Sequence, residues 1–191
     1  MKLISEELLD SVSHEARESS RLRMNYNFHE SLDSPIHRLL NALEPGTYLP
    51  PHRHTDKEET YVVLRGSLLT FFYDDLGNVI EKVNLNPSAG VYGVEIPSGT
   101  WHSIIALEPG TVIFEIKSGP YKPLPPEDIA PWAPAPSDLE GAAPSNIRLR
   151  ASMHAPTMPA LSFNLDVVIT ESLFTRFKEY FRTAVFIGCV M

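Results

Sequence analysis

The chain has 191 residues, a formal net charge of −8, 43% hydrophobic and 21% charged residues, an ordinary composition for a soluble globular protein. The acidic balance argues against a nucleic-acid-binding protein, which normally presents a basic face. A single cysteine, Cys189, excludes a disulfide within the chain, and the lack of a signal peptide or of about 18 consecutive apolar residues leads us to expect a cytoplasmic protein.

The first predicted element is a short helix in an N-terminal segment, residues 1–22. Ser5 can cap this helix, and two glutamates follow in the first turn, where the helix dipole favours anions. A short apolar stripe follows them. We therefore predict a helix from about residue 5 to residue 20 that covers one face of the next elements.

The next element is a strand over residues 22–28, where apolar and polar residues alternate with the period of a half-buried strand. Its polar face carries Arg23, Asn25 and Asn27. These side chains belong either to a solvent-facing edge strand or to the polar wall of a ligand pocket.

Residues 36–44 have helical propensity, but Pro35 and Pro45 leave room for only about nine residues. We therefore predict a strand, on which His37 is a surface residue.

The signals from residue 59 onwards are consistently those of β-structure. Segments rich in Val, Ile and aromatic residues alternate with Gly, Pro, Asn and Asp turns. The predicted strands are residues 59–64, 68–73, 79–85, 91–96, 101–107 and 111–117. Strands this short and evenly spaced indicate a sandwich or barrel, which we assign to residues 23–136.

The composition changes after residue 119. Seven of the 17 prolines lie between residues 120 and 136, so this segment cannot form a ladder and is expected to lie over the barrel, anchored by Tyr121 and Trp132. Residues 137–160 are rich in Ala, Pro and Ser and are predicted to be a disordered linker. Residues 161–191 are a C-terminal appendage in which phenylalanines recur at helical spacing. The alternatives are a docking helix, a helix for a partner or membrane surface, and a poorly ordered tail.

The chemistry-bearing stretch is Pro51-His52-Arg53-His54, followed by Glu59. Side chains at i and i+2 of an extended segment point to the same face, so His52 and His54 aim at one point. Imidazole and carboxylate are common ligands of divalent metals, and a second stretch, residues 97–102, can add His102. The alternative is a hydrogen-bonded polar cluster without metal, which is costly because several ionisable groups would be buried.

The spacings in these two stretches resemble the two cupin motifs. Gly46, His52, His54, Glu59 and Gly66 match the spaced positions of the first motif, and Pro97, Gly99 and His102 match the core of the second. Val91 stands where the second motif usually has glycine, and Ala106 where it has asparagine. More closely, residues 1–136 resemble the WbuC-type cupin fold metalloproteins, through residues 23–29, 51–54, 93–97, 99–102 and 119–121.

The resemblance implies an all-β cupin jelly-roll barrel with one bound divalent metal, and a homodimer. The family is linked to bacterial surface polysaccharide (O-antigen or capsule) genes. The family's metal positions fall on His52, His54, Glu59 and His102, with Glu58 competing with Glu59. Zn, Mn, Fe and Ni all suit such a ligand set.

Two kinds of function follow from this reading. The first is an enzyme that isomerises or epimerises a sugar or nucleotide sugar, with Glu58, Tyr26 and Tyr61 as candidate proton carriers, or an oxygenase if the metal is Fe. The second is a non-catalytic ligand-binding or regulatory cupin. In both, Arg23, Asn25, Asn27 and Tyr61 are the candidate substrate-binding residues.

Overall fold

The computed structural model of the chain describes residues 1–133, and within them one α-helix, eight strands and two single-turn 3₁₀ helices. These elements are α1 (Glu6–Glu18), β1 (Arg23–Asn27), β2 (Ile36–Leu43), β3 (Glu59–Arg65), β4 (Leu68–Tyr73), β5 (Val79–Leu85), β6 (Gly93–Ile96), β7 (Trp101–Ala106) and β8 (Thr111–Ser118). The predicted helix and all eight predicted strands are confirmed to within a few residues at their ends.

The strands form two antiparallel sheets. The larger sheet has the order β1-β2-β8-β3-β6, and the smaller has the order β5-β4-β7. The predicted fold class, an all-β jelly-roll barrel with a short N-terminal helix, is confirmed for residues 1–133. Among these residues, no helix is both long and apolar enough to cross a membrane.

Helix α1 covers the outer face of the larger sheet. Ser5 is its N-cap and accepts a hydrogen bond from the Leu8 backbone N–H at 3.4 Å. Its buried side chains join an apolar cluster with outward-facing residues of the sheet, which comprises Leu9, Val12, Ala16, Leu40, Ala42 and Val112. Burial of this stripe, rather than helical propensity, stabilises so short a helix.

A second apolar cluster fills one end of the interior between the two sheets. Its buried members are Leu43, Tyr61, Val63, Leu68, Phe72, Leu85, Ile96, Ile104, Ala106 and Ile113. The turn from β3 to β4 closes this end at Gly66, whose φ is +77°. A Cβ at residue 66 would lie 2.4 Å from the Thr111 Oγ1, so only glycine fits between the two turns.

Two predicted side-chain environments are wrong. His37 is buried rather than on the surface, because the segment after β8 packs over it and the Leu32 carbonyl lies 3.0 Å from its Nε2. Tyr121 is 55% exposed and anchors nothing by burial, although its backbone N–H donates to the Leu32 carbonyl at 2.7 Å.

The described part of the Pro-rich segment does lie over one end of the barrel. Trp132 packs against Tyr73 and Trp101, with ring centroids 5.0 and 6.2 Å apart. The Arg53 side chain donates to the buried Asp128 at 3.1 Å. The predicted linker (137–160) and appendage (161–191), and the last residues of the predicted barrel segment, lie outside the described residues.

Candidate metal centre

The three candidate histidines come together at the open end of the interior. Residue 52 pairs with residue 102 as an isolated antiparallel bridge, with backbone N–O distances of 3.0 and 2.9 Å. The ring centroids of His52 and His102 lie 4.5 Å apart, and His54 lies 5.3 Å from His52 and 6.5 Å from His102. A loop and a strand from opposite sides of the fold thus present one histidine cluster.

Backbone carbonyls fix the tautomer of two of these histidines. The Nδ1 of His52 lies 3.0 Å from the Pro50 carbonyl, and the Nδ1 of His102 lies 2.9 Å from the Thr100 carbonyl. A carbonyl only accepts hydrogen bonds, so each Nδ1 carries the proton. Each Nε2 is left with its lone pair turned towards the interior, the arrangement of histidines that bind metals in proteins.

The carboxylate of Glu59 lies at the centre of the cluster and is only 2% exposed. Its Oε2 accepts a hydrogen bond from the Tyr61 hydroxyl at 2.8 Å and lies 3.1 Å from the Nε2 of His102. Its Oε1 lies 3.1 Å from the Nε2 of His54. Two of these contacts set an imidazole nitrogen against a carboxylate oxygen, and such a pair is stable only with a proton or another cation between its atoms.

The donor set fits a divalent metal ion. One ligand atom each from His52, Glu59 and His102 lies within 4.8 Å of the other two, and the last two of these residues are buried. His54 contacts this group through the Glu59 Oε1. Imidazole and carboxylate donors suit several first-row metals, so the set does not select one ion.

The protonation states favoured by the site agree with metal binding. Burial lowers the pKa of His52 to about 4, and the neighbouring His102 acts in the same direction, so His52 is neutral at pH 7. Burial opposes ionisation of Glu59, but its contacts with His102 and His54 and the ammonium of Lys117 outweigh this effect and hold the pKa of this carboxyl below its usual value. A neutral imidazole and an ionised carboxylate are the forms that bind metals.

Sequence reasoning missed a buried charge network on β8. The ammonium of Lys117 lies 2.8 Å from the Glu59 Oε1 and 2.6 Å from the Glu115 Oε1. Burial would lower the pKa of Lys117, but the carboxylates of Glu115 and Glu59 outweigh it, so the pKa is raised and the group is charged. Asn41 on β2 donates to the Glu115 Oε2 at 3.3 Å.

The period-2 pattern of β8 was visible in the sequence, but its inward face was not. In the register of the sheet Glu59 pairs with Lys117, and Tyr61 pairs with Glu115. These four side chains therefore share the inner face. The alternation of side chains along β8 could have predicted this network, but only if the pairing of β3 with β8 had been known.

A cavity of about 310 Å³ opens beside the cluster. The candidate substrate-binding residues Arg23, Asn25, Asn27 and Tyr61 all line it, together with Asn41, Glu115 and Lys117. β1 is thus both an edge strand of the sheet and a wall of the cavity, so the two interpretations of its polar face describe the same structure.

Two candidate proton carriers lie away from the cavity. Tyr26 points to the helix side of the sheet, where its ring packs against Phe28 at 5.2 Å, because residues 26 and 25 of a strand face opposite sides. Glu58 is exposed, and neither cavity at this end of the barrel includes it in its lining. Tyr61 does face the interior, and burial, with the charge of Glu59, raises its pKa well above the usual value.

Two buried polar atoms in the cavity lining lack a partner among the described residues. They are the Oδ1 of Asn41 and the Nε2 of His29. Unpaired buried polar groups carry a desolvation cost. A polar ligand in the cavity could reduce this cost.

The comparisons with known proteins give one family model and several solved structures that are similar to part of this chain. Residues 4–85 match the model of a family described as a domain of unknown function (DUF6016), and no curated protein matches the chain. Among solved structures, KdgF from a Halomonas species is 20% identical, with a TM-score of 0.42, covering 52% of this chain and 82% of its own.

Two further solved structures are similar to part of this chain. A cupin superfamily protein from Desulfitobacterium hafniense is 16% identical, with a TM-score of 0.41, covering 50% of this chain and 76% of its own. L-ribose isomerase from Cellulomonas parahominis is 17% identical, with a TM-score of 0.43, covering 58% of this chain and 67% of its own. With TM-scores this low, we base the function on the residues of this chain.

Proposed function

We propose that this chain is a metal-binding cupin that acts on or binds a sugar or nucleotide sugar in bacterial surface-polysaccharide biosynthesis, as its resemblance to the WbuC-type family implies. The observation that carries the proposal is the convergence of His52, Glu59 and His102. Backbone carbonyls hold both histidines by Nδ1, and the Nε2 of His102 lies 3.1 Å from the buried Glu59 carboxylate. His54 completes the proposed ligand set. The homodimer implied by the same resemblance stays a prediction.

A bound divalent ion supplies Lewis-acid polarisation of a substrate oxygen and lowers the pKa of a bound water. The residues of the chain bind and orient the ligand. Arg23, Asn25, Asn27 and Asn41 offer hydrogen-bond donors and acceptors along one wall of the cavity, which suits the hydroxyl groups of a sugar. Tyr61 stays protonated at neutral pH because its pKa is raised, so it donates a hydrogen bond and does not act as a base.

The size of the cavity supports a small ligand. Its volume of about 310 Å³ is at the lower end of the range of about 300–1,000 Å³ for ligand pockets. This favours a single sugar unit inside the barrel, with any nucleotide part of the ligand outside it.

The non-catalytic alternative is favoured by the positions of the three candidate proton carriers. Of the three candidates, only Tyr61 lines the cavity, and its raised pKa disfavours proton abstraction. Isomerisation needs a base near the reacting carbon. A binding or regulatory cupin needs only the metal and the polar wall.

The first test is metal content, with Glu59→Gln compared against Glu58→Gln as a matched control. The two substitutions remove the same charge from neighbouring residues, one buried at the cluster and one exposed. We expect Glu59→Gln to lower metal affinity by at least about 100-fold, the upper end for loss of a ligand's hydrogen-bond partner, whereas Glu58→Gln binds as the unmodified chain does. Elemental analysis and calorimetric titration with Zn, Mn, Fe and Ni measure this.

Equal metal affinity in the two variants, both folded by circular dichroism, would contradict the assigned ligand set. Turnover then separates the two functions. Sugars incubated in D₂O with the metal-loaded protein gain deuterium at carbon if it catalyses isomerisation, and lose this activity in His54→Ala. Metal-dependent sugar binding without deuterium uptake identifies the binding module.

A further inference from the structure

A second, smaller cavity of about 160 Å³ lies beside the metal centre and shares His52 and His54 with it. Its lining is basic. The residues around it are His37, His52, His54, Lys57, Lys117, Ser118, Tyr121, Lys122 and Leu124. In a chain with a net charge of −8, three lysines and no carboxylate line this cavity within the described residues.

The three lysines are not equivalent. The ammonium of Lys117 is neutralised by two buried carboxylates at 2.8 and 2.6 Å. Lys57 and Lys122 share a single carboxylate, that of Asp56, each at 3.6 Å. Two positive charges are therefore opposed by one negative charge at the mouth of the cavity.

Lys57 gives the clearest indication of what this cavity binds. Its side chain is only 8% exposed, whereas the Asp56 side chain that faces it is 50% exposed. At 3.6 Å this contact is longer than a hydrogen bond, and the described residues offer the Lys57 ammonium no hydrogen-bond acceptor of its own. Lys57 lines the cavity, so an incoming oxyanion can accept the hydrogen bonds that its ammonium does not make to Asp56.

We infer that this cavity binds the anionic group, a phosphate or a carboxylate, of a ligand whose sugar part lies against the metal centre. The inference rests on the proposed function for the sugar part, and on Lys57, Lys122 and Ser118 for the anion. Ser118 adds a hydroxyl donor, and His52 and His54 line this cavity as well as contributing to the candidate metal centre. The substrate class is then an acidic sugar, a sugar phosphate or a uronate, in place of a neutral sugar.

The test measures binding of glucose 6-phosphate, glucuronate and glucose to the full chain by calorimetry. Lys57→Met removes the charge but keeps an unbranched apolar side chain. Lys82→Met is the matched control, because it makes the same change in net charge at an exposed lysine on β5 that lines neither cavity. Metal content is measured on the same samples.

We expect one or both acidic sugars to bind at least about 10-fold more tightly than glucose, the size of a charge-assisted hydrogen bond. Lys57→Met should remove that preference, Lys57→Arg should retain most of it, and Lys82→Met should leave it unchanged. Preference for glucose 6-phosphate identifies a phosphate site, and preference for glucuronate a carboxylate site.

Equal affinity for all three sugars, or an unchanged preference in Lys57→Met, would overturn the inference. If Lys57→Met does not fold, Lys122→Met takes its place, with a smaller loss of preference expected because this side chain is 67% exposed. A chain that binds metal but shows no preference keeps the proposed function and loses the anion site. A chain that prefers acidic sugars without binding metal keeps the anion site and loses the metal centre.

Discussion

The two faces of the five-stranded sheet differ sharply, although the same strands form both. The outer face meets α1 through an apolar cluster. The inner face carries an apolar cluster at one end and, at the other, the charged residues Glu59, Glu115 and Lys117. A buried side chain in this fold can therefore belong either to the apolar core or to the candidate site.

Two adjacent residues of β2 show the contrast. Leu40 is fully buried against α1, and Asn41, the next residue, is 8% exposed on the cavity side with an unpaired Oδ1. A strand buried on both faces can devote one face to stability and the other to chemistry. Three substitutions test whether the two roles are this separable.

The largest effect on stability should come from Leu40→Ala. Removing a fully buried leucine side chain leaves a cavity under the helix, so we expect the free energy of unfolding to fall by about 2–5 kcal/mol. Metal affinity should not change, because the substitution acts on the opposite face. Urea unfolding and metal titration measure the two quantities, and a tenfold loss of metal affinity would show that the faces are coupled.

Asn41→Ala should cost much less stability. Its Nδ2 makes one hydrogen bond of 3.3 Å to Glu115, while its Oδ1 is already unpaired. We expect a loss of about 1 kcal/mol, together with weaker binding of any ligand that fills the cavity. Urea unfolding of Asn41→Ala and Leu40→Ala compares their free energies of unfolding. An equal loss of stability in the two variants would show that Asn41 mainly stabilises the fold.

The smallest effect should come from Arg65→Gln at the junction of β3 and α1. Arg65 pairs with Asp10 at 2.8 Å and with Glu6, and both carboxylates are largely exposed. Exposed ion pairs contribute about 0–1 kcal/mol and weaken with salt. Unfolding at about 0.1 M and 1 M salt should show a small loss that shrinks at the higher concentration, and a salt-independent loss would indicate that packing is responsible.

Much of the local structure could be predicted because its causes are local. Ser5 with two following glutamates starts α1, and Gly66 turns β3 into β4. Prolines on both sides of residues 36–44 leave a segment that is short for a helix, and the structure has β2 there. The convergence of His52 with His102 could be proposed because both lie in motifs with fixed spacing, although their role as ligands stays a prediction.

The sequence by itself determined where strands begin and end, and which side chains alternate, because turn chemistry and period-2 patterning act within a few residues. The tertiary structure alone decided which residues of separate strands and loops meet. Pairing of β3 with β8 put Lys117 against Glu59, and the segment after β8 buried His37. Such contacts join residues that are far apart in the chain, so no local pattern records them.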